Sequence, residues 1–297
     1  MTGSDTGISV IINERSGAAR NPEVGVQVQS LFAKHGLPVR LERVRDPGDL
    51  PARARQAASR GDVLVAAGGD GTVSAVAGVA VETHATMGVL PMGTLNHFAK
   101  DLGLPIDLEQ ATATIAAGQT RDVDVGEVNG RVFVNNSSVG LYPRMVWERN
   151  VEQRRGRAKW PAFAIAMLRT WRDYRTITAH LVVEGKAAVV RTPFIFVGNN
   201  HYIAEGLQMG GRSRLDEGRL SIYLAPECGR FEILSLPARA LMHSLGSGPL
   251  FVEFQAETLT VDVPSRRVSV SLDGEVVLTI SPLEYRIHAR ALKAIVP

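Results

Sequence analysis

From residue 8 to residue 118 the chain alternates two patterns. Short, continuously apolar runs are separated by longer stretches in which apolar residues recur every three or four positions. ISVII (8–12), LPVRLERV (37–44), DVLVAAGG (62–69) and MGVLP (87–91) read as strands. Between them, PEVGVQVQSLFAKHG (22–36) places Val24, Val28, Leu31 and Phe32 on one helical face and stops at Gly36. PGDLPARARQAASRG (47–61), TVSAVAGVAVETH (72–84) and DLEQATATIAAG (107–118) continue the helical pattern. Strands that alternate with helices predict a parallel sheet covered on both faces, in an α/β domain.

Beyond about residue 121 the period changes from helical to two. RDVDVGEVNGRVFVNN (121–136) predicts a hairpin around Asn129-Gly130. TITAHLVVEGKAAVVRTPFIFVGNN (176–200) predicts another pair around Glu184-Gly185-Lys186. GRLSIYLAP, LTVDVPSRRVSVSL and EVVLTISP extend the β-rich character, interrupted by one helical stretch, FEILSLPARALMHSLG (231–246). The switch predicts a domain boundary near residue 124, followed by an antiparallel β domain.

Composition fits this division. At 297 residues, two domains are expected, and 45% hydrophobic with 21% charged residues is a globular balance. The single cysteine, Cys228, excludes an intrachain disulfide and a cysteine-based zinc site, and suits a reducing compartment. A net charge of +3 and a pI near 9.2 lean toward anionic partners without choosing one. The N-terminal residues lack a basic region followed by a long apolar core, and no run approaches the ~18 apolar residues of a spanning helix, so a cytoplasmic protein is expected.

The candidate chemistry begins at LVAAGGDGTVSAV (64–76), where one carboxylate stands among three glycines at a strand end. Gly68, Gly69 and Gly71 would let phosphate oxygens approach the backbone at the start of a helix, and Thr72 would add a hydroxyl. Asp70 would repel a phosphate unless a cation such as Mg²⁺ intervened; alternatively it only caps the helix. A second strand-end turn, VLPMGTLNHFAKDLGLP (89–105), puts Gly93 and Thr94 where Gly71 and Thr72 stand in the first. Two such loops facing one crevice point to a nucleotide site more strongly than either alone. A third, IINERSG (11–17), offers Asn13, Ser16 and Gly17.

These motifs in this order, with a later DGE, resemble the catalytic family of diacylglycerol kinases, which includes bacterial lipid kinases and the sphingosine and ceramide kinases. The match runs from Ile8 to about Glu275. The resemblance implies an α/β nucleotide domain over residues 1–124, joined by the returning chain end 284–297, and a β-sandwich lipid-substrate domain over 125–283. It implies ATP bound between the domains by Gly68, Gly69, Asp70, Gly71 and Thr72, with Asn13, Gly93 and Thr94 contributing, and a lipid hydroxyl as acceptor. It further implies that Asp273 helps to organise Mg²⁺ and phosphates with Asp70, and that Glu275 is the general base. By pattern alone, SLDGEVV (271–277) is an Asp-Gly hairpin turn, and the two readings are compatible. Some relatives carry a structural Mg²⁺ before a strand; RLDEGRLSIY would supply Glu217 beside Asp216, or be a solvated acidic turn.

Two departures from the family pattern concern function. His97 stands where an Asp is common, and FVNNSSVGLYP replaces a glycine-rich segment, which bears on the acceptor contacts.

Residues 149–172 hold seven Lys/Arg and one acid, with Trp147, Trp160 and Trp171 in or beside them. This span suits peripheral membrane contact over 147–172, or an apolar helix buried in a core. No recognition helix or aromatic strand platform suggests nucleic acid. The oligomeric state stays open, a homodimer included. Two rival functions remain at this level: a NAD kinase-like phosphotransferase, and a non-catalytic nucleotide- or lipid-binding regulator on the same scaffold.

Overall fold

The computed structural model describes residues 7–154, 159–172, 174–202, 211–212, 214–225 and 252–297. In chain order the elements are β1 (Ile8–Asn13), α1 (Val24–Lys34), β2 (Val39–Val44), α2 (Leu50–Ala58), β3 (Val63–Gly68), α3 (Asp70–Thr83), β4 (Met87–Pro91), α4 (His97–Asp101) and α5 (Leu108–Ala117). There follow β5 (Thr120–Val128), β6 (Arg131–Phe133), β7 (Asn136–Gly140), α6 (Leu141–Arg154), α7 (Lys159–Arg172), β8 (Ile177–Val183), β9 (Lys186–Thr192) and β10 (Phe194–Asn199). The last strands are β11 (Leu220–Leu224), β12 (Val252–Ala256), β13 (Thr258–Asp262), β14 (Arg267–Leu272), β15 (Glu275–Ile280) and β16 (Leu283–Ile295). The helical stretch expected at 231–246 lies outside the described residues.

The chain forms two compact units. The first comprises Met1–Val125, Arg214–Glu217 and His288–Pro297, and the second Gly126–Ser213 and Gly218–Ile287.

In the first unit the strands run β2-β1-β3-β4, all parallel, and the end of β16 joins them where Ala294 pairs with Met87. Both faces are covered, which explains the unbroken apolar runs. Ile8, Val10, Ile12, Val65 and Ala67 pack with Val28 and Phe32 of α1 and Ala111 and Ile115 of α5. Ile11, Leu64 and Ala66, which alternate to the other face, are equally buried where α2 and α3 meet β1 and β3.

At the opposite end of β3 from the glycines, Asp62 is buried and bound on both oxygens. Ser9 Oγ donates to Oδ2 at 2.7 Å, Arg60 Nε to Oδ2 at 3.1 Å and Arg40 Nη1 to Oδ1 at 2.8 Å. Desolvation alone would raise its carboxyl, but these donors and the Arg40 charge outweigh it and hold it below the usual carboxylate range. A carboxyl lowered by folding stabilises the native state above its unfolded pKa of about 3.9, and that stabilisation is lost as pH falls through the folded value. Asp62→Asn is therefore expected to cost about 1–3 kcal/mol at neutral pH. Denaturant titrations should show that the cost shrinks progressively below about pH 4.

The second unit contains two antiparallel layers. One runs from the first half of β16 through β13 and β8 to β9. The other has the order β12-β11-β10-β7-β14-β15. Ile195, Val197, Ile222, Leu259, Val261, Val270 and Tyr285 are among the buried residues of their shared core. LTVDVPSRRVSVSL divides into β13 and β14, which lie in different layers, and PFIFVGNN is not part of the β8–β9 hairpin but a strand of the six-stranded layer. Pro193 and the Pro264 turn fall where the chain changes layer, since proline cannot continue a ladder. The helix α6 was not legible, because LYPRMVWERNVEQR shows almost no amphipathic period.

Candidate functional site

In the first unit, the loops after β1, β3 and β4 are tied to one another. Gly69 N–H donates to Ser16 Oγ at 2.9 Å, Met92 N–H to Gly68 O at 2.9 Å and Ala18 N–H to Met92 O at 3.1 Å. A Cβ on Gly93 would lie 2.5 Å from Gly69 Cα and 2.7 Å from Asn96 Oδ1, so only glycine lets these backbones touch. Gly69 is the N-cap of α3, with Gly71 in its first turn. The corner therefore presents bare backbone at the positive end of a 14-residue helix.

The side chains expected here have different tasks. Asp70 Oδ1 accepts from His97 N–H at 2.8 Å, so Asp70 tethers the start of α4 with one of its two carboxylate oxygens. The departure at His97 thus enters the site through its backbone. Thr72 is only 2% exposed, and its Oγ1 accepts from Asn13 Nδ2 at 3.0 Å, whereas Thr94 is exposed. Thr72 and Asn13 brace the loops, and the expected equivalence of Thr72 and Thr94 does not hold. Asn96, in the left-handed region at φ 52°, bridges its own turn by accepting from Gly93 N–H at 2.9 Å.

In the second unit, Asp273 and Gly274 form a two-residue turn between β14 and β15, both with positive φ (47° and 83°). The Asp273 side chain is buried. Oδ1 accepts from the N–H groups of Asn135 at 2.8 Å and Asn136 at 2.9 Å, and Oδ2 from Val134 N–H at 2.9 Å. The carboxylate anchors the segment leading into β7. Glu275, two residues on, reaches solvent. Desolvation first, then the charge of Asp273, push its carboxyl above the ordinary glutamate range.

The same segment is gripped from its other side by Arg212, a residue that nothing in the sequence had singled out. Its buried guanidinium donates to Val134 O at 2.7 Å, Asn199 O at 2.9 Å and Asn135 Oδ1 at 2.9 Å, and stands over the Tyr202 ring at 5.5 Å. The only available signal was the repeated Asn-Asn at 135–136 and 199–200, at the ends of two strands that pair.

Glu217 adjoins Asp216 in the acidic turn before β11. Neighbouring Asp216 is held by Arg214 Nε at 3.1 Å; that bond, and then the Arg214, Arg121 and Arg290 charges, lower its carboxyl against some desolvation. Among the described residues no group of three or more His, Cys, Asp and Glu side chains gathers into a cation cage.

The basic span resolves into unlike parts. Arg169 of α7 donates to Glu148 at 3.0 Å and to fully buried Glu152 at 2.9 Å, fixing α7 on α6, so its charge is paired with two carboxylates of α6. Trp147 is 54% exposed and Trp171 half-buried. Residues 155–158 and the Trp160 side chain lie outside the described residues. Beside α6 the second unit contains a cavity of about 650 Å³, walled by Val139, Pro143, Trp147, Ile177, Val263 and Val276, with Arg144 and Arg267 also lining it. That volume is in the range of small-molecule pockets, about 300–1,000 Å³. No helix among the described residues is long and apolar enough to cross a membrane.

Comparison with known proteins agrees with both units. Residues 7–128 match the diacylglycerol kinase catalytic domain, and residues 144–296 match the YegS C-terminal NAD kinase beta sandwich-like domain. The diacylglycerol kinase of Bacillus subtilis (strain 168) is 26% identical over 272 residues, covering 90% of this chain and 88% of that protein. A Chromohalobacter salexigens protein named "Probable lipid kinase YegS-like" is 29% identical over 272 residues, covering 90% and 86%. A crystal structure described as a diacylglycerol kinase of Bacillus anthracis str. Sterne superposes with a TM-score of 0.70 at 16% identity, covering 99% of this chain and 98% of that one, a likeness of fold alone. With both halves matched, the second match covering more than half of the whole chain, the chain belongs to the diacylglycerol kinase catalytic-domain family of lipid kinases, with a YegS-type C-terminal domain.

Proposed function

We propose that the protein is an ATP-dependent lipid kinase that transfers the γ-phosphoryl group to the hydroxyl of diacylglycerol or a similar neutral lipid. The observation that carries this reading is the contact of the Gly69 and Gly93 backbones at the N-terminus of α3, a corner where triphosphate oxygens can meet N–H groups directly. Mg²⁺ keeps several waters and takes one or two carboxylates besides the substrate's own phosphates, so the absence of a carboxylate cage among the described residues is compatible with it. Asp70, with one oxygen outside its bond to His97, would hold the ion, which would neutralise charge on the phosphates. Asp273, committed to three backbone N–H groups, serves by position instead.

Glu275 takes the proton of the lipid hydroxyl as its oxygen bonds to the γ-phosphorus and the bond to the β-phosphate oxygen breaks, releasing ADP. The cavity beside α6 receives an acyl chain. Labelled ATP incubated with dispersed diacylglycerol, with total lipid extract and with NAD tests the reading. Labelled phosphatidic acid is expected. Label on NAD alone would make the protein a nucleotide kinase, and ATP binding without product on any lipid would make it a regulator.

Gly93→Ala probes the corner itself. Its methyl must displace Gly69 or Asn96, at a cost of about 1–3 kcal/mol for an overpacked contact. Calorimetric titration is expected to show ATP affinity reduced tenfold or more, on the order of the ~1.4 kcal/mol that a tenfold change represents.

A further inference from the structure

A buried cation and a buried carboxylate hold one short segment of the second unit from opposite sides. Arg212 is 5% exposed and Asp273 8%. Between them run Val134, Asn135 and Asn136, whose backbone N–H and C=O groups are all taken. The N–H groups donate to the Asp273 carboxylate, and Asn136 O accepts from Asp273 N–H at 2.9 Å. Asn135 O accepts from Asn199 N–H at 2.9 Å, and Val134 O from Arg212 Nη1 at 2.7 Å and Asn199 Nδ2 at 2.9 Å.

A single peptide group joins the two charges. Its oxygen, that of Val134, accepts from Arg212, and its N–H, that of Asn135, donates to Asp273 Oδ1 at 2.8 Å. A guanidinium at the oxygen and a carboxylate at the N–H polarise this peptide in the same sense, so each bond strengthens the other. The remaining bonds of Arg212 use its planar fork. Nη1 also reaches Asn199 O at 2.9 Å, at the end of β10, and Nη2 reaches Asn135 Oδ1 at 2.9 Å. The cation therefore ties the entry of β7 to the end of β10, the strand with which β7 pairs. A lysine ammonium, a point charge, does not reproduce that fork. The Tyr202 ring stands 5.5 Å from the guanidinium, and its hydroxyl accepts from Asn136 Nδ2 at 3.3 Å, so the segment is held by its side chains as well.

We propose that Arg212 is a positioning residue for the phosphoryl transfer: through the Val134–Asn135 peptide and the Asp273 carboxylate it fixes the turn that carries Glu275. This role rests on Glu275 being the base of a lipid kinase. Buried charges add little net stability, because desolvation offsets their attraction, and what this pair fixes is geometry. Asp273 and Gly274 are the two residues of the turn between β14 and β15, so a shift of the Asp273 carboxylate carries the start of β15, and Glu275 with it. A misplacement of about 1 Å at a reacting group can cost about 10²-fold in rate.

Two variants of the full chain test this role: Arg212→Gln removes the charge, and Arg212→Lys keeps it without the fork. Hydrogen exchange at the Val134, Asn135 and Asn136 amides is expected to quicken about tenfold in Arg212→Lys, as the bonds to Asp273 lose their polarised partner. On a short-chain diacylglycerol, kcat is expected to fall about tenfold in Arg212→Lys and about 30-fold in Arg212→Gln, with calorimetric ATP affinity unchanged. In a Glu275→Gln background, adding Arg212→Lys should lower kcat by less than about twofold, because residues that act as a unit are not additive. Asp62→Asn, which weakens the first unit, should keep wild-type kcat at a temperature where it is folded, separating position from stability. Circular dichroism checks folding, and if Arg212→Gln does not fold, Arg212→Lys carries the test. Unchanged amide exchange or unchanged kcat in folded Arg212→Lys would overturn the proposal, as would an equal loss of kcat with and without Glu275. A wild type that phosphorylates no lipid would sink the kinase reading and the catalytic role with it, while the exchange measurement would still decide whether Arg212 holds the Asp273 segment.

Discussion

Glu275→Gln is expected to lower kcat by about 10²–10⁴-fold, the span that a positioned general base contributes, with no loss of thermal stability. The two halves of this expectation have one cause. Desolvation and the Asp273 charge raise the Glu275 carboxyl, so folding disfavours its ionised form and the group works against stability at neutral pH. Removing the charge leaves the fold unharmed or slightly more stable, whereas the hydroxyl proton loses its acceptor. The wild-type pH profile should carry the same signature. Since the base acts ionised, kcat/KM should fall on the acid side at a pH above the ordinary glutamate value of about 4.3. A folded Glu275→Gln enzyme with wild-type turnover would remove Glu275 from the mechanism.

The second large effect belongs to Asp273, and it is one of stability. Asp273→Ala leaves three backbone N–H groups, those of Val134, Asn135 and Asn136, without their carboxylate, and it puts alanine at a positive φ. At about 1–3 kcal/mol for each unsatisfied buried donor, partly relieved by water, a loss of about 3–5 kcal/mol is expected. For a chain of this size that is a fall of about 10 °C in melting temperature. Asp273→Asn separates position from charge, because Asn tolerates the left-handed turn and keeps one acceptor oxygen. It is expected to cost less stability and, by withdrawing the negative charge beside Glu275, to move the acid limb of kcat/KM to lower pH. A purely structural Asp273 would leave that limb where it was.

Much of the architecture was legible before any coordinates. The alternation of apolar runs and helical periods placed β1 to β4 and α1 to α3 and α5 within a few residues of their observed bounds, because each element is buried on a predictable face. The Asn129-Gly130 and Asp273-Gly274 turns were readable because their residues tolerate positive φ. The motif order also sufficed to indicate the family. Less visible were α6, whose sequence shows almost no amphipathic period, and the division of β13 from β14 between two layers.

The roles within the site divide along the same line. Glycine spacing at 68–71 and 93 announces close backbone approach, since lacking a Cβ is a property of the residue itself. Whether a hydroxyl faces a ligand or a neighbour is decided by packing: Thr72 turns inward to Asn13 while Thr94, in a similar motif, is exposed. The bonds that give Asp273 its position join residues up to 139 apart in the chain, and the clamp of Arg169 on Glu148 and Glu152 crosses between two helices. Periodicity and turn chemistry act over a few residues, so they are written in the local order of the chain. The partner of each polar group depends on segments that meet only when the chain folds.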